Sequence, residues 1–141
     1  MLSTLEEISL HQLDIGKIEN LGLYCRHLKI LYLQSNLIPK MEGLNKLKEL
    51  EYINLAVNNV KKIEGIRFSE SLLKIDLTLN FVDVDALEES CDNMEECETL
   101  VDLYLTGNPC MQWSGAREYI IARVPHLRRF DGTEITKSER I

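Results

Sequence analysis

The sequence contains no run of about 18 apolar residues, so no membrane-crossing helix is expected. Its opening residues, MLSTLEEISLHQL, lack a basic start leading into a continuous apolar stretch, which argues against a secretory signal. No Asn-x-Ser/Thr glycosylation site occurs. The four cysteines, Cys25, Cys91, Cys97 and Cys110, form no Cys-x-x-Cys pair, and His11, His27 and His126 are scattered. A structural zinc site needs tighter clustering, so no metal or other cofactor is expected, and the cysteines read as free thiols in a reducing compartment. Glycine-rich phosphate loops and the His-Glu-x-x-His pattern are also missing, which leaves phosphate-loop and zinc-protease chemistry without support. Sixteen Lys and Arg face 23 Asp and Glu, for a net charge of −7. A nucleic-acid-binding surface is normally a basic stripe, and none is present, so no direct nucleic-acid contact is expected.

What the sequence does have is a period. Leu28, Leu31, Leu33, Asn36, Ile38, Met41 and Leu44 recur 22 positions later as Leu50, Ile53, Leu55, Asn58, Val60, Ile63 and Ile66. A spacing in the twenties with the pattern L-x-x-L-x-L-x-x-N is the signature of leucine-rich repeats. We therefore predict an α/β fold, a right-handed leucine-rich-repeat solenoid of the 22-residue class with a parallel sheet on its concave side. Residues 1–141 are read as one domain. In such a solenoid each coil buries its apolar edge on the next.

Repeats are placed near residues 5, 28, 50, 72 and 100. The first is degenerate, with Leu5, Ile8, Leu10, Leu13, Ile15, Ile18 and Leu21 on the template and Leu13 standing where asparagine is expected. The fourth keeps Leu72, Ile75, Leu77, Asn80 and Val82, then departs, and the next repeat starts 28 residues on rather than 22. Inside that gap Val84, Leu87, Cys91 and Met94 form a helical apolar stripe, so residues 83–96 are predicted to be an amphipathic helix on the convex side. Residues 81–99 carry eight acids and no Lys or Arg; the rest of the chain is close to neutral. A solvated helix face is the expected role of those acids, docking of a basic partner the alternative.

After Asn108 and Pro109 a C-terminal cap is expected over about 110–135. Its helix carries Ala116, Tyr119, Ile120 and Val124 on one stripe, ends at Pro125, and leads into a half repeat at Leu127 and Phe130 and a turn at Asp131-Gly132. Tyr119, Phe130 and Asp131 are the residues assigned to this cap. Trp113 is expected to pack it against Cys110 or the helix stripe, and the closing TKSERI is expected to fray.

Alternation along the strands divides the remaining candidates. Asn36, Asn58, Asn80 and Asn108 hold one fixed place in each coil and are read as a structural ladder that bonds neighbouring backbone rather than as ligands. Facing out of the concave side are Tyr32 and Gln34, Tyr52 and Asn54, Lys74 and Asp76, and Asp102 and Tyr104. We read this set as partner-binding, because tyrosine combines large contact area with a polar tip. Lys74, Asp76 and Asp102 could suggest acid–base chemistry. An open sheet with no nucleophile–base set offers no pocket for it, so no enzymatic activity is expected.

The phrases CRHLKILYLQSNLI, LEYINLAVNNVKKIEGI, KIDLTLNFV, LYLTGNPC and REYIIARVPHLRRFDGTEITKSERI extend over most of the chain. Together they resemble the leucine-rich-repeat domain of the TILB/seahorse-type dynein axonemal assembly factors. The resemblance implies a non-catalytic scaffold in cytoplasmic preassembly of dynein arms for motile cilia and flagella. It implies protein partners: other dynein-arm assembly factors, chaperones and a MYND-type zinc-finger co-factor. Two departures from the family pattern stand out. Ala116 sits where the cap tends to carry an aromatic, and the acidic insert is long. The cap also resembles that of a spliceosomal leucine-rich-repeat protein, which would imply an RNA-binding protein partner instead. Regulation of a phosphatase, known among 22-residue repeats, is a third reading.

Overall fold

A computed structural model describes residues 2–141. Six three- or two-residue strands stack in parallel: β1 (Glu7–Ser9), β2 (Ile30–Tyr32), β3 (Tyr52–Asn54), β4 (Lys74–Asp76), β5 (Asp102–Tyr104) and β6 (Arg129–Phe130). A seventh, β7 (Thr133–Glu134), returns antiparallel to β6, and a single helical turn, α1 (Leu21–Tyr24), lies between β1 and β2. The strands follow sequence order across the sheet, as a solenoid requires. The central residue of each inner strand, Leu31, Ile53, Ile75 and Leu103, is fully buried, while its neighbours on either side are half-exposed on the concave face. The predicted alternation therefore describes β2 to β5.

Sequence period and structure meet at the asparagines. Asn58 Nδ2 donates to Leu33 O of the preceding coil at 2.9 Å and to Leu55 O of its own coil at 3.0 Å, and its Oδ1 accepts from Ile38 N at 3.0 Å. Asn80 repeats this with Leu55 O, Leu77 O and Val60 N, and Asn108 with Leu77 O, Leu105 O and Val82 N. Asn36 closes the first coil through Leu10 O, Leu33 O and the amides of Leu13 and Ile15. Each side chain thus pairs backbone groups of two coils where the chain leaves its strand and no regular ladder can form.

The residue before each asparagine carries a positive φ: 60° at Ser35, 57° at Val57, 58° at Leu79 and 83° at Gly107. Only the last is a glycine. A second left-handed position does use it, at Gly43 and Gly65, both with φ 73°, where an added Cβ would run into the carbonyl of Ile18 or Met41 one coil back. Sequence reading also passed over one interior column. Cys25, Leu47, Ser69, Cys97 and Val124 each lie three residues before a strand-leading leucine, and all are buried. Their residue types differ too much to announce a repeat.

Four expectations need correction. The insert is an α-helix only over Leu87–Glu96 (α2), preceded by a 3-10 turn at Val84–Ala86 capped by Asp83. Val84 is 46% exposed, because the tighter turn rotates it off the stripe, and Ser90 is buried instead, accepting from Ile63 N at 3.0 Å. Three of the five acids on this helix, all still exposed, also pair: Glu89, Asp92 and Glu96 with Lys62, Arg123 and Arg67 of neighbouring coils. Leu13 is 59% exposed rather than interior, since the first coil has nothing stacked beyond it. Finally, the tail does not fray. Thr136 and Glu139 form a reciprocal capping box, with Glu139 Oε1 accepting from Thr136 N and Thr136 Oγ1 accepting from Glu139 N. Arg117 grips Glu139 at 2.7 Å, and the Arg140 guanidinium donates to the carbonyls of Ile121, Val124 and Leu127 around the C-terminus of the cap helix α3 (Ala116–Arg123).

In the cap, Phe130 is fully buried under the Arg117 guanidinium, and Ala116 and Ile120 are buried beside the last coil. Trp113 is half-exposed and packs on the Tyr119 ring, 5.8 Å between centroids. Asp131 (φ 50°) and Gly132 (φ 83°) make the two-residue turn into β7, both left-handed as a tight hairpin needs. Asp131 Oδ1 accepts from Leu105 N at 2.6 Å and Thr106 N at 3.0 Å. In earlier coils the amide equivalent to Leu105 N finds a backbone carbonyl of the next strand, Asn54 O for Leu33 and Asp76 O for Leu55. Where the earlier coils use a main-chain carbonyl, the half repeat of β6 thus uses the Asp131 side chain.

All four thiols are buried and unbonded to one another, and burial pushes Cys91 and Cys110 up to about 11. No helix among the described residues is long and apolar enough to cross a membrane.

Two measurements check this account. Asn58→Ala leaves the buried Ile38 amide without an acceptor and takes one of two amide donors from each of the carbonyls of Leu33 and Leu55, which keep Asn36 and Asn80. It should cost roughly 2–3 kcal/mol in urea denaturation, with an unchanged slope against denaturant. For the tail, the hydrogen bond from Arg117, helped by the Thr136 amide, holds the Glu139 carboxyl down at about 2, against an ordinary 4.5. A lowered folded-state value means the pair's contribution is complete above about 4.5 and is lost as pH falls toward 2. In Arg117→Met, a carbon-13 NMR titration of Glu139 should show its midpoint moving back up toward 4.5.

Candidate functional site

Register brings the outward side chains into two rows across the concave sheet. Ile30, Tyr52, Lys74, Asp102 and Arg129 are adjacent in one, and Tyr32, Asn54, Asp76 and Tyr104 in the other. Strands lie about 4.8 Å apart, so β2 to β5 span a path of roughly 14 Å.

Along that path the aromatic residues are linked. Tyr32 and Tyr52 meet edge to face, 5.8 Å between ring centroids at 85°. The Lys74 ammonium lies 5.0 Å from the Tyr52 ring and 5.1 Å from the Tyr104 ring, held between the two. Such contacts contribute about 0.5–1 kcal/mol each at a half-exposed site, enough to fix the lysine rather than leave it sweeping the groove. Burial, with help from the Asp76 charge, raises the Tyr52 phenol, so it stays protonated at neutral pH. The result is a preset tray of three phenol rings and one cation over four strands.

The polar members behave differently from one another. Asn54 is used within its own coil: Nδ2 donates to the Tyr52 hydroxyl at 3.0 Å and Oδ1 accepts from Ala56 N at 3.0 Å. Asp76 Oδ1 likewise accepts from Thr78 N and, at 2.6 Å, from the Thr78 hydroxyl. These two shape the face. Gln34 Oε1 and Asp102 Oδ1 are instead buried with no donor, although Asp102 Oδ2 has Arg129 at 3.9 Å. A buried acceptor without a donor costs about 1–3 kcal/mol, so a ligand that supplies one gains that much. The ladder asparagines point into the solenoid and contribute nothing to this surface. Tyr119, Phe130 and Asp131 belong to the cap; of these only the Asp131-Gly132 turn approaches the tray, with Gly132 near the Tyr104 hydroxyl.

No group of three or more His, Cys, Asp or Glu side chains placed to hold a metal occurs among the described residues. A groove of about 630 Å³ lies at the cap end among His126, Arg128, Arg129 and Glu134, away from the tyrosines.

No protein-family model matches the chain. Curated proteins do. It is 50% identical over 141 residues to dynein axonemal assembly factor 11 of Trypanosoma brucei brucei, covering 99% of this chain and 36% of that protein. Identity is 52% to the Danio rerio protein of the same name, over 98% of this chain and 31% of the relative, and 50% to Protein tilB of Drosophila melanogaster, over 100% and 35%. The chain thus spans about a third of the length of the curated relatives it matches. Among solved structures, a chain of the Drosophila melanogaster SNF/U2A′ complex superposes with a TM-score of 0.84 at 28% identity, covering 95% of this chain and 76% of that one. Internalin C2 from Listeria monocytogenes superposes at 0.67 with 24% identity, covering 92% and 52%, which speaks to the fold alone. The chain is a leucine-rich-repeat solenoid, homologous over nearly its whole length to a segment of the dynein axonemal assembly factor 11 and tilB proteins.

Proposed function

We propose that this solenoid is the partner-binding part of a non-catalytic scaffold that acts in cytoplasmic preassembly of axonemal dynein for cilia and flagella. The single observation that carries the site is the tyrosine–lysine tray across β2 to β5. It is ordered before any partner arrives, so little side-chain freedom is lost on docking. The partner is a protein: a dynein-arm subunit, a chaperone, or an assembly co-factor such as a MYND-type zinc-finger protein. It lays an apolar ridge on Tyr32 and Tyr52 and brings donors to Gln34 and Asp102. The names of the relatives support the assembly role. The open sheet, which lacks an enclosed cleft beside its titratable groups, supports scaffolding over catalysis.

The likeness to the SNF/U2A′ structure supports a second reading, in which the same face docks an RNA-binding protein of a ribonucleoprotein particle.

Tyr32→Ala/Tyr52→Ala removes the edge-to-face pair while leaving the interior untouched. Capture of axonemal dynein heavy chain and its assembly factors from ciliated-cell extract, quantified by immunoblot, should fall at least about tenfold, with circular dichroism unchanged. Undiminished capture would sink the concave-face assignment. Retention of an RNA-binding protein in place of dynein components would move the assignment to the second reading.

A further inference from the structure

A second surface has a different character. On the edge where the chain leaves the concave strands, Leu37, Val57, Leu79 and Phe81 stand 54%, 47%, 55% and 54% exposed. The repeat places them together: Val57 and Leu79 occupy the same position in adjacent coils, just before the ladder asparagine, and Leu37 and Phe81 the position just after it. Val57 and Leu79 hold the left-handed conformation, φ 57° and 58°, although the last coil shows that glycine serves there. A β-branched residue is strongly disfavoured at such a φ. Neither side chain fills the core in return. The turn before each ladder asparagine requires that conformation, but it does not require exposed apolar side chains there, twice in succession.

The charges beside this strip indicate what covers it. Phe81 borders a groove of about 350 Å³ whose other walls are Lys61, Asp83, Asp85 and Pro109. Lys61 lies one coil before Phe81, and the two aspartates follow it. Neither Lys61 nor Asp85 has an ion-pair partner among the described residues, and Asp83 spends one oxygen on the Val84 amide. The strip therefore changes sign at its aromatic centre, positive on one side and negative on the other. A surface with that pattern is complementary to itself after a half-turn.

We propose that this edge is a self-association surface, taken by a second copy of the chain about a two-fold axis near Phe81. The two phenyl rings pack at the axis, and the apolar strips cover one another. Lys61 of each copy meets Asp83 and Asp85 of the other. Four half-exposed side chains amount to roughly 300–400 Å² per copy, below the ~800 Å² of a standard interface. The dimer is accordingly weak, with a dissociation constant in the tens to hundreds of micromolar, and it leaves the concave tray open.

Sedimentation velocity of the chain from low micromolar to several hundred micromolar tests this. The expected result is a reversible monomer–dimer equilibrium. It should weaken at least about tenfold in Phe81→Asp and in Lys61→Glu, and also as salt is raised. Mixing Lys61→Glu with Asp83→Lys/Asp85→Lys should restore a heterodimer that neither variant forms alone. All substituted positions are exposed, and unchanged circular dichroism excludes unfolding as the cause. A chain that stays monomeric throughout the range overturns the proposal, leaving the strip to a different protein. A dimer indifferent to these substitutions overturns it as well, placing the contact elsewhere.

Discussion

Everything in this molecule depends on one amide per coil. A strand of three residues cannot hold a sheet together by itself. What keeps successive strands in register is the buried asparagine that follows each, tying its own coil to the coil before it. The amide suits the task because it is donor and acceptor at once and carries no charge to desolvate. An aspartate there would lack the donors that two carbonyls need, and a serine would be too short to reach both coils. Once the amides set the spacing, the leucines and isoleucines of neighbouring coils interleave with almost no surface left to water. The concave face follows as a consequence, since strands spaced this way on one side must accommodate bulkier returns on the other.

The 28-residue coil shows how much latitude that arrangement leaves. Its β4–β5 register matches that of the 22-residue coils, with Ile75 opposite Leu103 and Asp76 opposite Tyr104. The six extra residues are taken up entirely behind the sheet, as α2. There Ser90 and Asn93 satisfy the amide and carbonyl of Ile63, while Lys62, Arg67 and Arg123 bind its acids from both flanks. Three of the eight acids in the block that dominates the chain's net charge are thereby engaged with the solenoid, which lessens their availability to a basic partner. The concave tray is untouched by the insertion, so Tyr104 still reaches the lysine on the neighbouring strand.

The fold was readable because it rests on period. Seven positions recurring at one spacing define which side chains point inward, and alternation then assigns Tyr32, Tyr52, Lys74 and Tyr104 to a common face. What alternation does not contain is contact between rows. That Lys74 would settle between two rings, that Asn54 and Asp76 would be consumed by their own coils, and that Asp102 would keep a bare oxygen all depend on diagonal distances across the sheet. The tail misled for a related reason. TKSERI is polar and terminal, which reads as loose, but its anchors are Arg117, 22 residues before Glu139, and the carbonyls at the end of α3. Val84 was assigned to the wrong face because a 3-10 turn advances side chains by 120° rather than 100°. The tail and Val84 were thus decided by pairings distant in sequence and by a change of local pitch, neither of which leaves a mark on composition.

The Asp131 carboxylate carries a consequence for how such a chain can grow. By occupying the amides of Leu105 and Thr106, it takes the place that the carbonyl of a full coil inserted between β5 and β6 would need. A 22-residue unit copied between residues 28 and 71 would meet on both sides a strand and ladder asparagine of the kind it carries itself, and could be intercalated there. A unit inserted behind Leu105 would first have to evict a charged group from two hydrogen bonds. Lengthening by duplication is thus easier in the middle of the solenoid than at the β5–β6 boundary, where a single side chain holds the amides.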